Sequence, residues 1–221
     1  MVQCERLTMK RISILVGLCL ALASVPLAVT IAQDTPEDLV GRVQRADALT
    51  KAAETIEDYT NIINQCEAAL AAGLNEQWID YTNRLLAWTY DNRGELYAEQ
   101  GQEAEAFGDF SLATKFDPTR WQAFHNRAVS NAMIGRYEEA LEDFSRTIEL
   151  NDSYGDAFFN RGEVLYELGQ YQEALQDYNR AAQLMPRDSA VFNSRGHTYY
   201  RLGDYQAAVA DYGQAIRHNP Q

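Results

Sequence analysis

The sequence contains few of the residue patterns that build catalytic or metal sites. Its three histidines, His125, His197 and His218, stand far apart, and no His-x-x-His or Glu-x-x-His pair occurs. The glycines occur singly rather than in a phosphate-binding loop, and no nucleophile–base–acid set lies within a short stretch. These absences argue against a metal site, a bound cofactor and an enzymatic activity.

Cysteine is equally scarce, with three residues in the chain. Cys4 and Cys19 lie before residue 33, so Cys66 has no intramolecular disulfide partner in the rest of the chain. The sequence from Ile62 to Leu70 has the pattern of an apolar helix face. We therefore expect Cys66 to be a small buried thiol rather than a reactive one.

Lysine and arginine, 19 in all, are outnumbered by the 32 aspartates and glutamates. The net charge is −13, and the first 32 residues carry +2, which leaves −15 for the rest of the chain. Because a body this acidic repels phosphate backbones, nucleic acid is not expected as the main partner. A basic or neutral protein partner is favoured instead.

One long apolar run is present, near the N-terminus. A basic start at Lys10 and Arg11 precedes this run, and Pro26 ends it. The arrangement is typical of a signal peptide over residues 1–32, with cleavage after Ala32. The uncharged stretch is also long enough to span a bilayer, so an uncleaved anchor facing outward is the alternative. Both interpretations place the folded part outside the cytoplasm. Cleavage implies a periplasmic or secreted protein, and retention of the segment implies a membrane-anchored one.

The strongest feature of the sequence is a 34-residue repeat. Glycine and alanine each recur four times at this spacing, in one register. The positions are Gly101, Gly135, Gly169 and Gly203, and Ala106, Ala140, Ala174 and Ala208. Such a period predicts a solenoid of helical hairpins.

The third copy of the repeat shows both helices of such a hairpin. Phe158, Gly162 and Leu165 have the spacing of one helix face, and Gly169 follows at a position where a left-handed helix cap suits glycine. The second helix then presents Tyr171, Ala174, Tyr178 and Ala181, and Pro186 ends the unit.

These residues resemble the signature of the tetratricopeptide repeat (TPR) family. The third and fourth copies match it, the second departs at Asn131, Thr147 and Asp152, and the first has Glu103 where tyrosine is usual. The resemblance covers residues 87–221 as the four repeats 87–120, 121–154, 155–188 and 189–221. It implies an all-α fold, a right-handed α-solenoid of helical hairpins, and a role in binding other proteins.

Two charged series go beyond that signature. Arginine recurs on the first helices, and aspartate recurs sixteen residues later on the second helices. The series are Arg93, Arg127, Arg161 and Arg195, and Asp109, Asp143, Asp177 and Asp211. The arginines either form a row offered to an anionic ligand or pair with the aspartates. We favour pairing, with Arg161 near Asp177, because a part-buried arginine needs a partner.

Residues 33–86 are predicted to form an N-terminal helical cap with a degenerate half-repeat. A helix is expected over 36–52, and 54–73 resembles a second TPR helix. The register is ten residues longer than 34 here, and the excess is expected to lengthen the next helix. Trp78 and Trp88 either mark a binding surface or, as we favour, line the cap.

The last repeat is expected to leave apolar surface uncovered, because solenoid ends usually carry a polar cover and none follows here. Val209 and Ile216 are then partly exposed. This favours self-association, and a homodimer through the C-terminal helix is a further expectation.

The resemblance also implies a binding site, since the first helices of TPR proteins line a concave groove that contacts an extended peptide. The candidate groove residues are Asn92, Glu95, His125, Asn126, Phe159, Asn160, Glu163, Tyr166, Asn193, His197 and Tyr200, with Asp91, Met133, Glu167 and Arg201 in the wider outward-facing set. Asn92, Asn126 and Asn160 repeat at 34 residues and either bind a peptide backbone or merely cap or solvate the helix. None of these positions is lysine, which family members use to clamp a C-terminal carboxylate.

Two functions fit the sequence. The first is a non-enzymatic protein–protein interaction scaffold, exported from the cytoplasm, that binds a protein or peptide segment in the groove. The alternative is a membrane-anchored structural or assembly component of the cell envelope that self-associates through its end helices. A mature N-terminus at Gln33 favours the first function, and retention of the apolar segment favours the second.

Overall fold

The computed structural model describes residues 34–220, and within that range it contains ten α-helices, one short 3₁₀ helix (Thr50–Ala52) and no strand. The helices are α1 (Pro36–Leu49), α2 (Ile56–Ala71), α3 (Glu76–Glu99), α4 (Glu103–Phe116), α5 (Trp121–Met133), α6 (Tyr137–Leu150), α7 (Gly155–Glu167), α8 (Tyr171–Leu184), α9 (Ser189–Leu202) and α10 (Tyr205–His218). The predicted all-α architecture is confirmed. The predicted signal peptide or anchor, residues 1–32, lies outside the described residues.

The helices stack in sequence order. Each helix packs mainly on the helices before and after it, so α3/α4, α5/α6, α7/α8 and α9/α10 form four hairpins. The first helices of successive hairpins also contact one another: α3 contacts α5, α5 contacts α7, and α7 contacts α9. This contact places the first helices side by side on one face of the stack, where they form a common surface.

Helices α1 and α2 cover the first hairpin. Both begin with a capping box, in which the side chains of Thr35 and Thr55 accept hydrogen bonds from backbone N–H groups of the first turn. Their apolar faces join α3 in one core cluster, against which Trp78 and Trp88 pack. The tryptophans therefore line the cap, as favoured above, and the excess residues lengthen α3 to 24 residues as expected.

Cys66 lies in the same cluster and is fully buried. Burial raises the pKa of the thiol to about 12, with Asp47 and Glu67 adding smaller effects. The thiol is therefore protonated and poorly nucleophilic at neutral pH, as predicted.

Two glycines of the α7/α8 hairpin show what this residue contributes. Gly169, after α7, has a φ of 75°, a left-handed conformation that glycine adopts without the steric penalty of a side chain. Gly162, in α7, faces the ring of Tyr178, and a Cβ atom at this position would lie only 2.9 Å from a ring carbon. The absence of a side chain at Gly162 thus makes room for the buried tyrosine of the partner helix.

The repeated arginines are internal, and the predicted Arg161–Asp177 bridge is confirmed. Nε and Nη2 of Arg161 donate to the two carboxylate oxygens of Asp177 at 2.7 and 2.8 Å. The same two-pronged geometry recurs in Arg93–Asp109, Arg127–Asp143 and Arg195–Asp211. The arginines are therefore committed to the fold rather than offered to an anionic ligand.

Each arginine also reaches back to the preceding hairpin, which the sequence did not reveal. Nη1 of Arg161 donates to the Ser145 hydroxyl on α6 at 3.0 Å, and Nη1 of Arg195 donates to the Asn179 amide oxygen on α8. Thr60 and Thr114 accept the corresponding bonds from Arg93 and Arg127. We call each such arginine with its aspartate and its acceptor on the preceding helix an arginine clasp. One clasp joins three helices, so it stabilises both the hairpin and the stack.

Candidate functional site

Three neighbouring pockets follow the face formed by the first helices. Pocket A, of about 440 Å³, lies between α3 and α5, and pocket B, of about 150 Å³, lies between α5 and α7. Pocket C, of about 170 Å³, lies between α7 and α9. Val129 and Met133 line both A and B, and Glu163 lines both B and C. The pockets therefore form one continuous depression, called the groove below.

Pocket A combines carboxylates with apolar side chains. Its acidic members are Glu95, Glu99 and Glu103, and its apolar members include Phe110, Val129 and Met133. Burial, and to a lesser degree the nearby Asp91 carboxylate, raises the pKa of Glu95. The wall formed by α3 and the start of α4 is thus acidic, and the wall formed by α5 combines Val129 and Met133 with polar side chains.

Asp91 is buried beneath this wall, and the expectation that it faces outward is wrong. Only 1% of its surface is exposed, and it forms an ion pair at 2.7 Å with Arg120, the residue before α5. Asn126 donates hydrogen bonds to Asp91 Oδ1 and Glu95 Oε1, both at 3.0 Å. These contacts join α3 to α5. The Asn126 amide nitrogen therefore already donates to two carboxylates of the neighbouring helix.

The other two repeated asparagines differ from Asn126. The amide nitrogen of Asn92 donates to the backbone carbonyl of Trp88 at 2.6 Å, within its own helix. Asn160 lines pocket B, beside Glu163 and Val164. The three asparagines thus occupy equivalent positions in their repeats but make different contacts. Within the described residues, the Asn160 side chain lies in the groove and makes no hydrogen bond to a helix backbone or to a neighbouring helix.

His125 lines pocket A but is largely buried, with 8% of its surface exposed. Its ring packs edge-on against Tyr154 at 5.0 Å and tilts toward Phe144 at 5.6 Å. Its Nδ1 atom has no hydrogen-bond partner among residues 34–220. Burial lowers the pKa of His125 to about 4, and the Asp156 carboxylate opposes this shift. The imidazole is therefore neutral at physiological pH.

The neutral state of His125 has a measurable consequence for stability. Below pH 6.5 the unfolded chain binds a proton that the folded chain rejects until about pH 4, so acidification favours unfolding. We expect the free energy of unfolding to fall by about 2 kcal/mol from about pH 7 to about pH 4.5 through this residue. Urea denaturation of the protein and of His125→Phe at both pH values measures the effect, since Phe159 occupies the equivalent position one repeat later.

The comparison with His125→Phe is needed because Asp91 and Glu95 act in the opposite direction. Burial raises the pKa of both carboxyl groups, so their contributions strengthen the folded state as the pH falls. The difference between the two proteins isolates the histidine. Equal pH dependence in both would contradict a buried neutral imidazole.

Pocket C is the second acidic part of the groove. Glu163, Tyr166, Glu167, Tyr178, Ser194 and His197 line it. The hydroxyl of Tyr178 donates to Glu163 Oε1 at 2.5 Å, and this contact holds the carboxylate against α8. Arg201 lies over the rings of Tyr166 and Tyr171 at 5.7 and 4.5 Å, next to this pocket.

The remaining candidates lie at the margins of the groove or away from it. Phe159 packs toward the Tyr178 ring at 6.0 Å, and Tyr200 is exposed beside Tyr205. Asn193 lines a separate surface pocket with Ile216 and is not part of A, B or C. Glu99 and Glu103 line pocket A but were not among the predicted groove residues. The one signal in the sequence was that Glu103 stands where the repeat signature usually has tyrosine.

Two further features of the described residues bear on function. Within residues 34–220, no group of three or more His, Cys, Asp or Glu side chains is arranged to hold a metal ion. None of the helices in the described part of the chain is long and apolar enough to cross a membrane.

Comparison with protein families agrees with this geometry. The TPR repeat model matches residues 134–169 and 162–203, and a second model, tetratricopeptide repeat, matches residues 189–221. The stacked hairpins and the family matches together define a helical-repeat protein. The models together match residues 134–221, and over these residues the chain carries tetratricopeptide repeats.

Solved structures share the fold. The crystal structure of YrrB, described as a TPR protein with an unusual peptide-binding site, has a TM-score of 0.63 at 20% identity, covering 84% of this chain and 88% of YrrB. MamA has a TM-score of 0.60 at 22% identity, covering 74% of this chain and 90% of MamA. The first TPR of Spaghetti (RPAP3), bound to the HSP90 peptide SRMEEVD, has a TM-score of 0.53 at 26% identity. The match covers 54% of this chain and 95% of the Spaghetti chain. No curated protein sequence gave a significant match.

Proposed function

We propose that this protein is a non-enzymatic scaffold that binds an extended segment of another protein in the groove. The observation that carries the proposal is the continuity of pockets A, B and C along the first helices. Met133 lies where A and B meet and is 68% exposed, so it can offer an apolar contact to a partner segment. A rigid stack of hairpins supports binding, because only the partner segment must lose conformational freedom.

Two of the similar structures support a peptide as the partner. YrrB is described as having a peptide-binding site, and the Spaghetti repeat was solved with the peptide SRMEEVD. That peptide is acidic, whereas the groove here is lined by Glu95, Glu99, Glu103, Glu163 and Glu167. We therefore propose a basic or neutral segment as the partner of this chain.

We further propose that the protein is exported, on the basis of the basic and apolar pattern of residues 1–32. Sequencing the N-terminus of the mature protein tests this directly. A mature chain that begins at Gln33 supports cleavage and release. A chain that keeps its apolar segment supports the anchored alternative, and one recovered intact from the cytoplasm contradicts both.

The binding proposal is tested by selecting peptides from a random display library with the full chain. Met133→Arg is expected to abolish recovery of the selected peptides, because it places a long charged side chain between pockets A and B. Ile216→Arg is the matched control, since this residue is similarly exposed (64%) but lies on α10. Loss of binding in Ile216→Arg alone would move the site to α10 and contradict the groove.

Self-association through α10 is the second candidate. Val209 and Ile216 on this helix are 70% and 64% exposed. The equivalent residues one repeat earlier, Leu175 and Ala182, are half-buried where α9 packs on α8. A second copy of α10 is the occupant that we propose for this apolar face. Sedimentation should show a concentration-dependent dimer that Val209→Asp with Ile216→Asp dissociates, and a monomer at high concentration would rule it out.

A further inference from the structure

We propose that the groove selects an extended segment in which two cationic side chains, about six residues apart, flank an apolar one. This inference rests on the proposed function and specifies its partner. The groove supplies three receptor sites in the order acidic, apolar, acidic. Among the described residues, the linings of pockets A, B and C include no lysine or arginine.

Pocket A fits a lysine or arginine side chain. Phe110, Val129 and Met133 can cover the aliphatic stem, while Glu99 and Glu103 receive the charged end. His125 lines the same pocket, is more than nine-tenths buried, and has an Nδ1 atom without a partner among residues 34–220.

Pocket B fits an apolar side chain. It is the smallest of the three, at about 150 Å³, and is lined mostly by Val129, Ala132, Met133, Phe144 and Val164. The Met133 side chain is flexible and can adapt to residues of different shape. Asn160 and Glu163 form the polar margin of this pocket, on the side toward pocket C.

Pocket C fits the second cation, with weaker attraction than pocket A. Glu163 and Glu167 supply two carboxylates, and the Glu163 group already accepts the Tyr178 hydroxyl. Arg201, on the Tyr166 and Tyr171 rings, reduces the negative potential nearby. The larger share of the charge selectivity therefore belongs to Glu95, Glu99 and Glu103 of pocket A.

The spacing of the cations follows from the helix stack. Neighbouring packed helices lie about 9 Å apart, and pocket C lies two first-helix intervals from pocket A, so the centres of the pockets are about 18 Å apart. An extended chain advances about 3.3 Å per residue, so about six residues span this distance. The apolar residue then falls midway, over pocket B.

The test uses the full chain and a fluorescein-labelled peptide, Lys-Ser-Ser-Leu-Ser-Ser-Lys, measured by fluorescence anisotropy. We expect saturable binding that weakens as salt is added. Replacing both lysines by glutamate, or the leucine by serine, should weaken binding by about tenfold or more, since each change removes at least about 1.4 kcal/mol. Shortening the peptide to Lys-Ser-Leu-Ser-Lys should also weaken it, because the two cations no longer reach both acidic pockets.

Protein variants locate the charge selectivity. Glu99→Gln with Glu103→Gln is expected to weaken binding of the lysine peptide by about tenfold. The matched control is Glu138→Gln with Glu139→Gln, two exposed carboxylates in the first turn of α6, which should leave binding unchanged. Equal losses from both pairs would show that only the overall negative charge matters and would overturn the inference.

The outcomes separate this inference from the proposed function. If peptides recovered from the display library depend on Met133 but carry no paired cations, the inference is overturned and the groove function stands. If the lysine peptide binds Met133→Arg as well as the unchanged protein, then both are contradicted. Binding that needs the groove, both lysines and the Glu99/Glu103 pair supports both.

Discussion

Asp177→Ala is expected to lower the free energy of unfolding by about 3 kcal/mol, because it leaves the Arg161 guanidinium part-buried without its carboxylate. The Asp177 carboxylate is nearly fully buried and accepts two hydrogen bonds from Arg161. The arginine would keep only its bond to Ser145 on the preceding hairpin. Urea denaturation followed by circular dichroism measures the loss, with the slope of the transition checked because repeat arrays can unfold in parts.

Two variants separate the ion pair from general disturbance of α8. Glu173→Ala removes an exposed carboxylate from the same helix and should change stability little. Arg161→Leu combined with Asp177→Ala removes both charges and should recover part of the loss, since no unpaired charge remains. If the double variant is destabilised by the full sum of the two single changes, the clasp is not a coupled unit.

The second large effect is expected for Tyr178→Ala, at about 4 kcal/mol, because the ring fills the space beside Gly162 and leaves a cavity when removed. The side chain is fully buried, and its hydroxyl donates to Glu163. Tyr178→Phe keeps the ring and should cost only about 1 kcal/mol for the lost hydrogen bond. Phe144 occupies the same place one repeat earlier, which supports the tolerance for phenylalanine.

Thermal and urea unfolding of the two variants gives the comparison directly. A much smaller effect of Tyr178→Ala than of Asp177→Ala would mean that polar contacts, not packing, dominate the hairpin. Equal effects of the alanine and phenylalanine variants would contradict the role assigned to the ring.

The repeating parts of the structure could be predicted because identical residues recur at one spacing. The 34-residue period placed the turn glycines, and the fixed sixteen-residue offset was enough to pair Arg161 with Asp177. The third member of each clasp was not predictable in this way. Ser145 and Asn179 both lie sixteen residues before their arginines, whereas Thr60 and Thr114 lie 33 and 13 residues before theirs. No single spacing or residue type therefore marks all four acceptors.

The groove was predictable in position but not in detail, because its contacts use residues that vary between repeats. Arg120 lies 29 residues after Asp91 and neutralises it, and Tyr154 lies 29 residues after His125 and covers its ring. The same structural position thus buries one candidate by an ion pair and another by aromatic packing. The acidic surface predicted for the groove is therefore smaller in the structure. It consists at this end of Glu95, Glu99 and Glu103, because Asp91 is paired with Arg120.

The most direct test of the groove uses the methyl groups of methionine. Met133 and Met185 are the methionines of the described residues, and Met133 lines pockets A and B whereas Met185 lies beside Gly155, outside all three pockets. Nuclear magnetic resonance of the full chain with ¹³C-labelled methionine methyl groups follows both as a library-selected peptide is added. We expect the Met133 signal to shift in step with binding while the Met185 signal stays in place. Saturable binding that leaves the Met133 signal unmoved would contradict binding in the groove.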